Sequence, residues 1–204
     1  MDYEELIKES WSLTKKDLGI WIAATILGLF GSIFLITIGP LAYGYNNMAV
    51  KSLKSKDIRL KDLFVGFKLK NFFGSWIVII ISTLPYLLIT FINSLLAYIV
   101  VFLFVYAMPL LVLRKYGGIA ACKESARIAL NKPVETIIIT IFYGFLINIG
   151  FLALLIGALI TIPLGEIVLT GAVFDLIGEK RTSRESIKDN VYSNEKDPYQ
   201  SINE

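Results

Sequence analysis

The chain has 204 residues, of which 55% are hydrophobic and only 18% charged, and its mean hydropathy is +0.66. A soluble domain carries about 25% charged residues, so an ordinary soluble fold is excluded; with no His and one Cys, Cys122, so are an intramolecular disulfide and the usual imidazole chemistry. The net charge of +3 does not point to nucleic acid, because the 20 Lys and Arg border hydrophobic runs instead of covering one polar domain.

The basic residues fall in four patches and leave three basic-free runs, residues 17–50, 71–113 and 133–179. Taken in chain order, residues 1–17 predict an amphipathic helix lying in the membrane interface. Tyr3, Leu6, Ile7 and Trp11 share one face, and Glu4, Lys8, Ser12 and Lys15 the other. A spanning helix needs about 20 apolar residues, and residues 18–38 supply the first membrane segment. Its acidic and basic flank and its length read as a retained anchor, not a signal peptide. Gly39-Pro40 is expected to end it, because proline removes a donor and clashes with the preceding turn. A shorter segment follows over residues 40–53. The linker 54–72 interleaves Phe64 and Phe67 with Lys61, Lys68 and Lys70.

Segments 73–92 and 95–113 flank Asn93-Ser94, which reads as a tight hairpin turn. The linker 114–133 predicts a second interfacial helix with Lys123, Arg127 and Asn131 as its polar stripe, and Pro133 is placed to open the next helix. Segments 134–155 and 158–177 follow, with a turn near Gly157 and Pro163 near the start of the second. Residues 179–204 have almost no apolar side chains and are expected to form a disordered cytoplasmic tail.

Basic flanks resist translocation, so all four patches are expected on the cytoplasmic side, and each apolar run then crosses an even number of times. The expected fold is therefore all-α: a polytopic helical bundle over residues 18–178, with about six membrane segments in three hairpins. It would sit in the cell membrane with both termini cytoplasmic. The first run spans only about 51 Å as helix, so five spans with the N-terminus outside is the alternative. An internal echo favours six. Lys8-Glu9-Ser10 and Lys123-Glu124-Ser125 precede the first and third hairpins, and Pro40-Leu41 and Pro163-Leu164 begin the returning helices.

Glu166 lies well inside an apolar segment, where a carboxylate costs several kcal/mol unless protonated, paired or hydrated. It and mid-segment Asn148 are the candidates for a transport or ion site. The plainer reading of Glu166 is a protonated, hydrogen-bonded group near the extracellular end. Lys61, Phe64, Phe67, Lys68, Lys70, Lys123 and Arg127 are the candidates for binding lipid or a partner protein. Here the plainer reading is that the charges set topology and the aromatics wedge the hairpins together. Trp21, Tyr43, Trp76 and Tyr116 read as interfacial anchors, and Gly144, Gly150, Gly157, Gly165 and Gly171 as points of close helix approach. Nothing in the sequence forms a nucleophile–base pair, a phosphate loop or a metal-ligand set, so no catalytic residue, metal or cofactor is expected.

Three sets of residues carry a resemblance. They are Gly39-Pro40-Leu41-Ala42-Tyr43-Gly44-Tyr45; Asp62-Leu63-Phe64-Val65-Gly66-Phe67-Lys68 followed by Asn71-Phe72; and Tyr106-Ala107-Met108-Pro109 followed by Ala121 to Arg127. With the closing Gly157, Pro163 and Ala172-Val173-Phe174-Asp175, this order resembles prokaryotic multi-pass membrane protein families of unknown function. Those families are similar to the membrane domain of some glycerophosphoryl diester phosphodiesterases. The resemblance implies a six-helix membrane bundle without the catalytic domain, and it implies no activity. Four basic segments expected in the cytoplasm, two interfacial helices, almost no extracellular mass and no catalytic set read instead as a non-enzymatic membrane protein that organises partner proteins or anionic lipid at the cytoplasmic face, alone or as a homo-oligomer. The alternative is a small-solute or ion transporter or channel using a Glu/Asn path. The lipid bilayer is a partner in either case.

Overall fold

In the computed structural model of the chain, residues 1–152 and 157–182 are described. They are almost wholly helical. The helices are α1 (Tyr3–Lys16), α2 (Leu18–Gly31), α3 (Ile38–Leu53), α4 (Leu69–Ile92), α5 (Ser94–Phe104), α6 (Ala107–Leu113), α7 (Gly118–Asn131), α8 (Pro133–Leu152) and α9 (Ala158–Ile177). Short 3-10 turns occupy Leu35–Thr37 and Leu60–Phe67. Residues 183–204, most of the segment expected to be a disordered tail, lie outside the described residues, as do residues 153–156, which hold the end of the expected fifth segment and lead into the turn near Gly157.

Among the described residues, four stretches are long and apolar enough to cross a membrane: Leu69–Ile92, Leu96–Leu113, Pro133–Gly150 and Ala158–Ile177. The second is not one continuous helix. Pro109 cannot donate to the carbonyl of Val105, and the chain turns at Val105-Tyr106 between α5 and α6. Ser125 of α7 repairs the break. Its hydroxyl donates to the Leu103 carbonyl at 2.7 Å and accepts from the Tyr106 N–H at 3.2 Å. The α4–α5 turn is capped by Asn93, whose Oδ1 accepts from the Leu96 N–H at 3.3 Å.

The first run departs from the expected boundary. The helix ends at Gly31, not at Pro40, and Pro40 is the third residue of α3, where a missing N–H costs no intrahelical bond. The turn forms instead over residues 32–37, where side-chain hydroxyls take up helix-end carbonyls. Ser32 Oγ donates to the Gly28 carbonyl at 2.7 Å, and Thr37 Oγ1 donates to the Phe34 carbonyl at 2.7 Å. As a result α2 and α3, of 14 and 16 residues, are only about 21 and 24 Å long.

The centre of the bundle is the contact of α3 with α9 and α6. Met48, Ala49 and Leu53 are buried there, with Ile167, Val168, Ala172, Val173 and Phe174 from α9 and Leu110 from α6. α1 lies across α9, the Leu60–Phe67 turn across α3, and α7 across α4, α5 and α6. α1 starts cleanly because the Asp2 side chain accepts from the Glu5 N–H at 3.0 Å, with Glu4 and Glu5 in the first turn and Lys15 and Lys16 in the last.

Two of the sequence motifs interlock. A Cβ on Gly44 would fall 1.7 Å from the Leu63 carbonyl oxygen, and one on Gly66 would fall 1.9 Å from that of Pro40. Only glycine permits this approach. Lys51 Nζ then bonds Asp62 Oδ2 at 2.6 Å, and the same carboxylate accepts from the Arg59 N–H at 2.9 Å. Asn71 Nδ2 donates to the Val65 carbonyl at 2.9 Å, so the turn is held from both ends.

Several expected surface residues are core residues. Trp21 is fully buried against Tyr45, ring centroids 5.3 Å apart, and Tyr43 is buried, so neither is an interfacial anchor. Trp76 donates from Nε1 to the Ile36 carbonyl at 3.1 Å, tying α4 to the first turn. Glu179 and Arg181, at the head of the expected tail, are bound into the bundle. Glu179 pairs with Arg114 at 3.2 Å, and buried Arg181 pairs with Glu9 of α1 and, at 3.0 Å, with Asp175 of α9.

Candidate functional site

α9 carries the most consequential side chain. It begins at Ala158 and runs through Pro163 without ending, so Glu166 sits eight residues into it, about 12 Å from its start. This is deeper than the single turn from a helix end that Pro163 implies in the sequence. Tyr143 of α8 donates from its hydroxyl to Glu166 Oε1 at 2.9 Å. Oε2 is buried and has no hydrogen-bond partner among the described residues.

Asn46 of α3 stands with Glu166. Its Nδ2 donates to the Ala42 carbonyl at 3.1 Å, while its buried Oδ1 has no partner among the described residues. The two residues border two cavities. The smaller, of about 180 Å³, lies between α2, α3 and α9 and is edged by Thr25, Ser32 and Tyr45. The larger, of about 690 Å³, lies between α3, α4, α5, α8 and α9, with Ser82, Thr83, Tyr86, Tyr98, Thr140 and Asn148 supplying its polar groups. Neither lining includes a Lys or Arg among the described residues. A carboxylate oxygen so placed is satisfied only by a proton, a cation or a donating ligand.

The structure therefore brings Glu166 and Asn148 to one cavity. Asn148 does not bond across helices, however: its Nδ2 donates to the Gly144 carbonyl of its own helix at 2.7 Å. Gly144 is not a point of close approach, since a Cβ there would meet nothing within 4 Å. Pro85 inside α4 removes a donor from the Ile81 carbonyl, one residue before cavity-lining Ser82.

The candidate lipid or partner residues stay apart from this cavity, on two separate surfaces. Lys61, Phe64, Phe67, Lys68 and Lys70 form an exposed surface on the Leu60–Phe67 turn and the start of α4, with the Phe64 and Phe67 rings 6.1 Å apart. Lys123 and Arg127 are exposed on α7, and Arg127 bonds Glu124 at 2.6 Å.

Tyr143, Tyr86, Tyr98 and Thr140 belong to the cavity but do not stand out in the sequence, whereas Asn46, a polar residue inside an apolar segment, does. The available signal is that two tyrosines, Tyr86 and Tyr143, fall well inside apolar segments and not at their ends, where an interfacial anchor belongs. Comparison of the chain with protein-family models, with curated proteins and with solved structures finds no match.

Proposed function

We propose that the chain is an integral membrane protein that binds a small cationic solute at Glu166 and passes it between the two cavities. The observation that carries this reading is the unpartnered Glu166 Oε2, set with Asn46 between cavities that hold no basic counter-charge among the described residues. Glu166 supplies the negative charge. Tyr143 holds the carboxylate by its other oxygen, and Asn46, whose Oδ1 has no partner among the described residues, lines the same two cavities. The hydroxyls of Ser82, Thr83, Tyr86 and Tyr98 give a hydrated solute replacements for water. Binding a charge at a helix interface between short bundles is a recurrent arrangement in transporters.

The architecture that goes with this function is three copies of one unit: a short amphipathic element, one linking residue and two apolar helices. Supporting it are three successive stretches of that form. They are α1, Asp17, α2 and α3; the Leu60–Phe67 turn, Lys68, α4 and α5–α6; and α7, Lys132, α8 and α9. Pro40-Leu41, Pro109-Leu110 and Pro163-Leu164 recur in the three returning helices. The buried Leu6, Ser10 and Leu13 of α1 correspond in spacing to the buried Ala121, Ser125 and Ile128 of α7. Each amphipathic element rests on another unit's returning helix: the turn on α3, α7 on α6, and α1 on α9. In this arrangement six segments form three hairpins whose basic flanks are cytoplasmic.

The test is flux in proteoliposomes, using protons, monovalent cations and small primary and quaternary amines as the panel. The expected result is saturable uptake of at least one of these, reduced at least tenfold in Glu166→Gln and in part by Asn46→Ala. Uptake of none, or full uptake by Glu166→Gln, contradicts the reading. A second reading, an organiser of lipid or proteins at the cytoplasmic face, is favoured by one observation. Phe64, Phe67 and Phe73 are 50%, 40% and 59% exposed beside Lys61, Lys68 and Lys70, a combination that partitions into an anionic interface.

A further inference from the structure

A separate cavity of about 360 Å³ opens where the ends of α6 and α9 meet α7. Three cations reach it from three parts of the chain: Arg114 just after α6, Arg127 on α7, and Lys132 between α7 and α8. Each guanidinium is engaged by one carboxylate. Arg127 bonds Glu124 at 2.6 Å, with its own side chain 69% exposed, and Arg114 Nε bonds Glu179 at 3.2 Å. Both pairs reach solvent mainly through the arginine, with the Glu124 and Glu179 side chains 22% and 30% exposed, and an arginine carries five N–H donors, so both retain donors for a ligand. Lys132 makes no ion pair among the described residues.

The wall behind these charges is apolar, formed by Leu110, Ile128, Leu176 and Ile177. Leu176 and Ile177 are the last residues of a helix apolar enough to cross a membrane. The turn into the cavity is strained. Lys115 has φ of 54°, a left-handed conformation uncommon outside glycine and retained where the surroundings enforce it, and it leads directly to Tyr116 on the cavity's edge.

We propose that this cavity binds a phosphate ester, and that its ligand is the headgroup of an anionic phospholipid. Convergent arginine and lysine donors match the several acceptor oxygens of a phosphate. The apolar wall suits the glycerol and first methylenes of a chain entering from the bilayer. Lys61, Lys68 and Lys70 carry comparable charge on an open surface and supply no such enclosure.

Native mass spectrometry of the purified full chain, supplied with phosphatidylglycerol or phosphatidylcholine in detergent, tests the site. One phosphatidylglycerol per chain is expected to stay bound, at least tenfold more tightly than phosphatidylcholine. The Arg127→Gln/Lys132→Gln variant should lose at least tenfold in retention, the charge-preserving Arg127→Lys/Lys132→Arg should keep most of it, and Lys8→Gln/Lys56→Gln, at two exposed lysines away from the cavity, should bind as the unaltered chain does. Millimolar glycerol phosphate that displaces the lipid would locate recognition in the phosphate ester itself; failure to displace it would show that the acyl-bearing lipid is required. Both outcomes support the site. Unchanged retention in Arg127→Gln/Lys132→Gln, equal loss in Lys8→Gln/Lys56→Gln, or equal retention of phosphatidylcholine overturns it. The outcome is independent of flux through the Glu166 cavity.

Discussion

Arg181 brings its guanidinium into the bundle, where its side chain is 1% exposed and bonds Glu9 from one end of the chain and Asp175 from the other. Removing one partner of a buried ion pair leaves a charge without compensation and costs about 3–5 kcal/mol. Arg181→Met or Glu9→Gln should therefore lower the denaturation midpoint sharply in detergent, whereas Lys8→Gln, whose pair with Glu4 is exposed, should leave it nearly unchanged. Nothing in the sequence marks this pair: Arg181 looks like one more topology charge, and 172 positions separate it from Glu9. Glu166 is different. A lone acid in an apolar segment is conspicuous by composition alone, while its partner Tyr143 is one aromatic among many and is identified only by helix rotation. Cys122 gives a further check, because it is buried and burial pushes its thiol up to about 11. The thiolate is the reactive form, so the thiol stays protonated and unreactive below that value. Alkylation of the folded protein should be negligible at pH 8, become appreciable only as the pH approaches 11, and be rapid at pH 8 once the chain is denatured.

At the level of elements, the α2–α3 turn differs from the α4–α5 turn. Phe30, Ile33, Phe34, Leu35 and Ile36 are 64–73% exposed, yet the backbone there is satisfied locally. The N–H groups of Ser32, Ile33, Phe34 and Thr37 donate within the turn to Gly28, Phe30, Gly31 and Phe34. An apolar tip with internally bonded backbone is suited to hydrocarbon, and helices of about 21 and 24 Å are shorter than a bilayer's hydrocarbon core of about 30 Å. A spin label at Phe34→Cys should be relaxed by oxygen and shielded from a polar nickel chelate; one at Asn93→Cys should show the reverse. Equal access of the chelate to both would place the first tip in water. Gly44→Ala must move the Leu63 carbonyl, 1.7 Å from the new Cβ, and should destabilise the protein more than Gly144→Ala, which meets open space; thermal denaturation in detergent compares the two. The sequence reveals the helices at Pro133 and after Asn93 because proline and asparagine have local geometric effects. It misplaces the end of α2 because proline in a first helical turn and proline after a last one look alike until hydroxyls such as those of Ser32 and Thr37 close the turn earlier.

The whole molecule is organised by where its charges stand. All 20 basic residues flank the apolar runs, and the helix-rich character follows from the impossibility of leaving backbone groups unpaired in lipid. That much is legible in composition. The cavities are not: the largest, for example, depends on how far α4 and α5 stand from α8 and α9, a distance set by side chains on several helices at once. The account depends on each apolar run returning to the side it left, since only then do Glu166 and the phosphate-ester cavity have the surroundings described. In a Cys122→Ala background, single cysteines at Lys56, Asn93 and Lys123 can be probed with a membrane-impermeant maleimide on sealed right-side-out vesicles. Reaction at residue 93 alone is the expected result, with 56 and 123 reacting only after the vesicles are opened; reaction at 56 or 123 in sealed vesicles would contradict it.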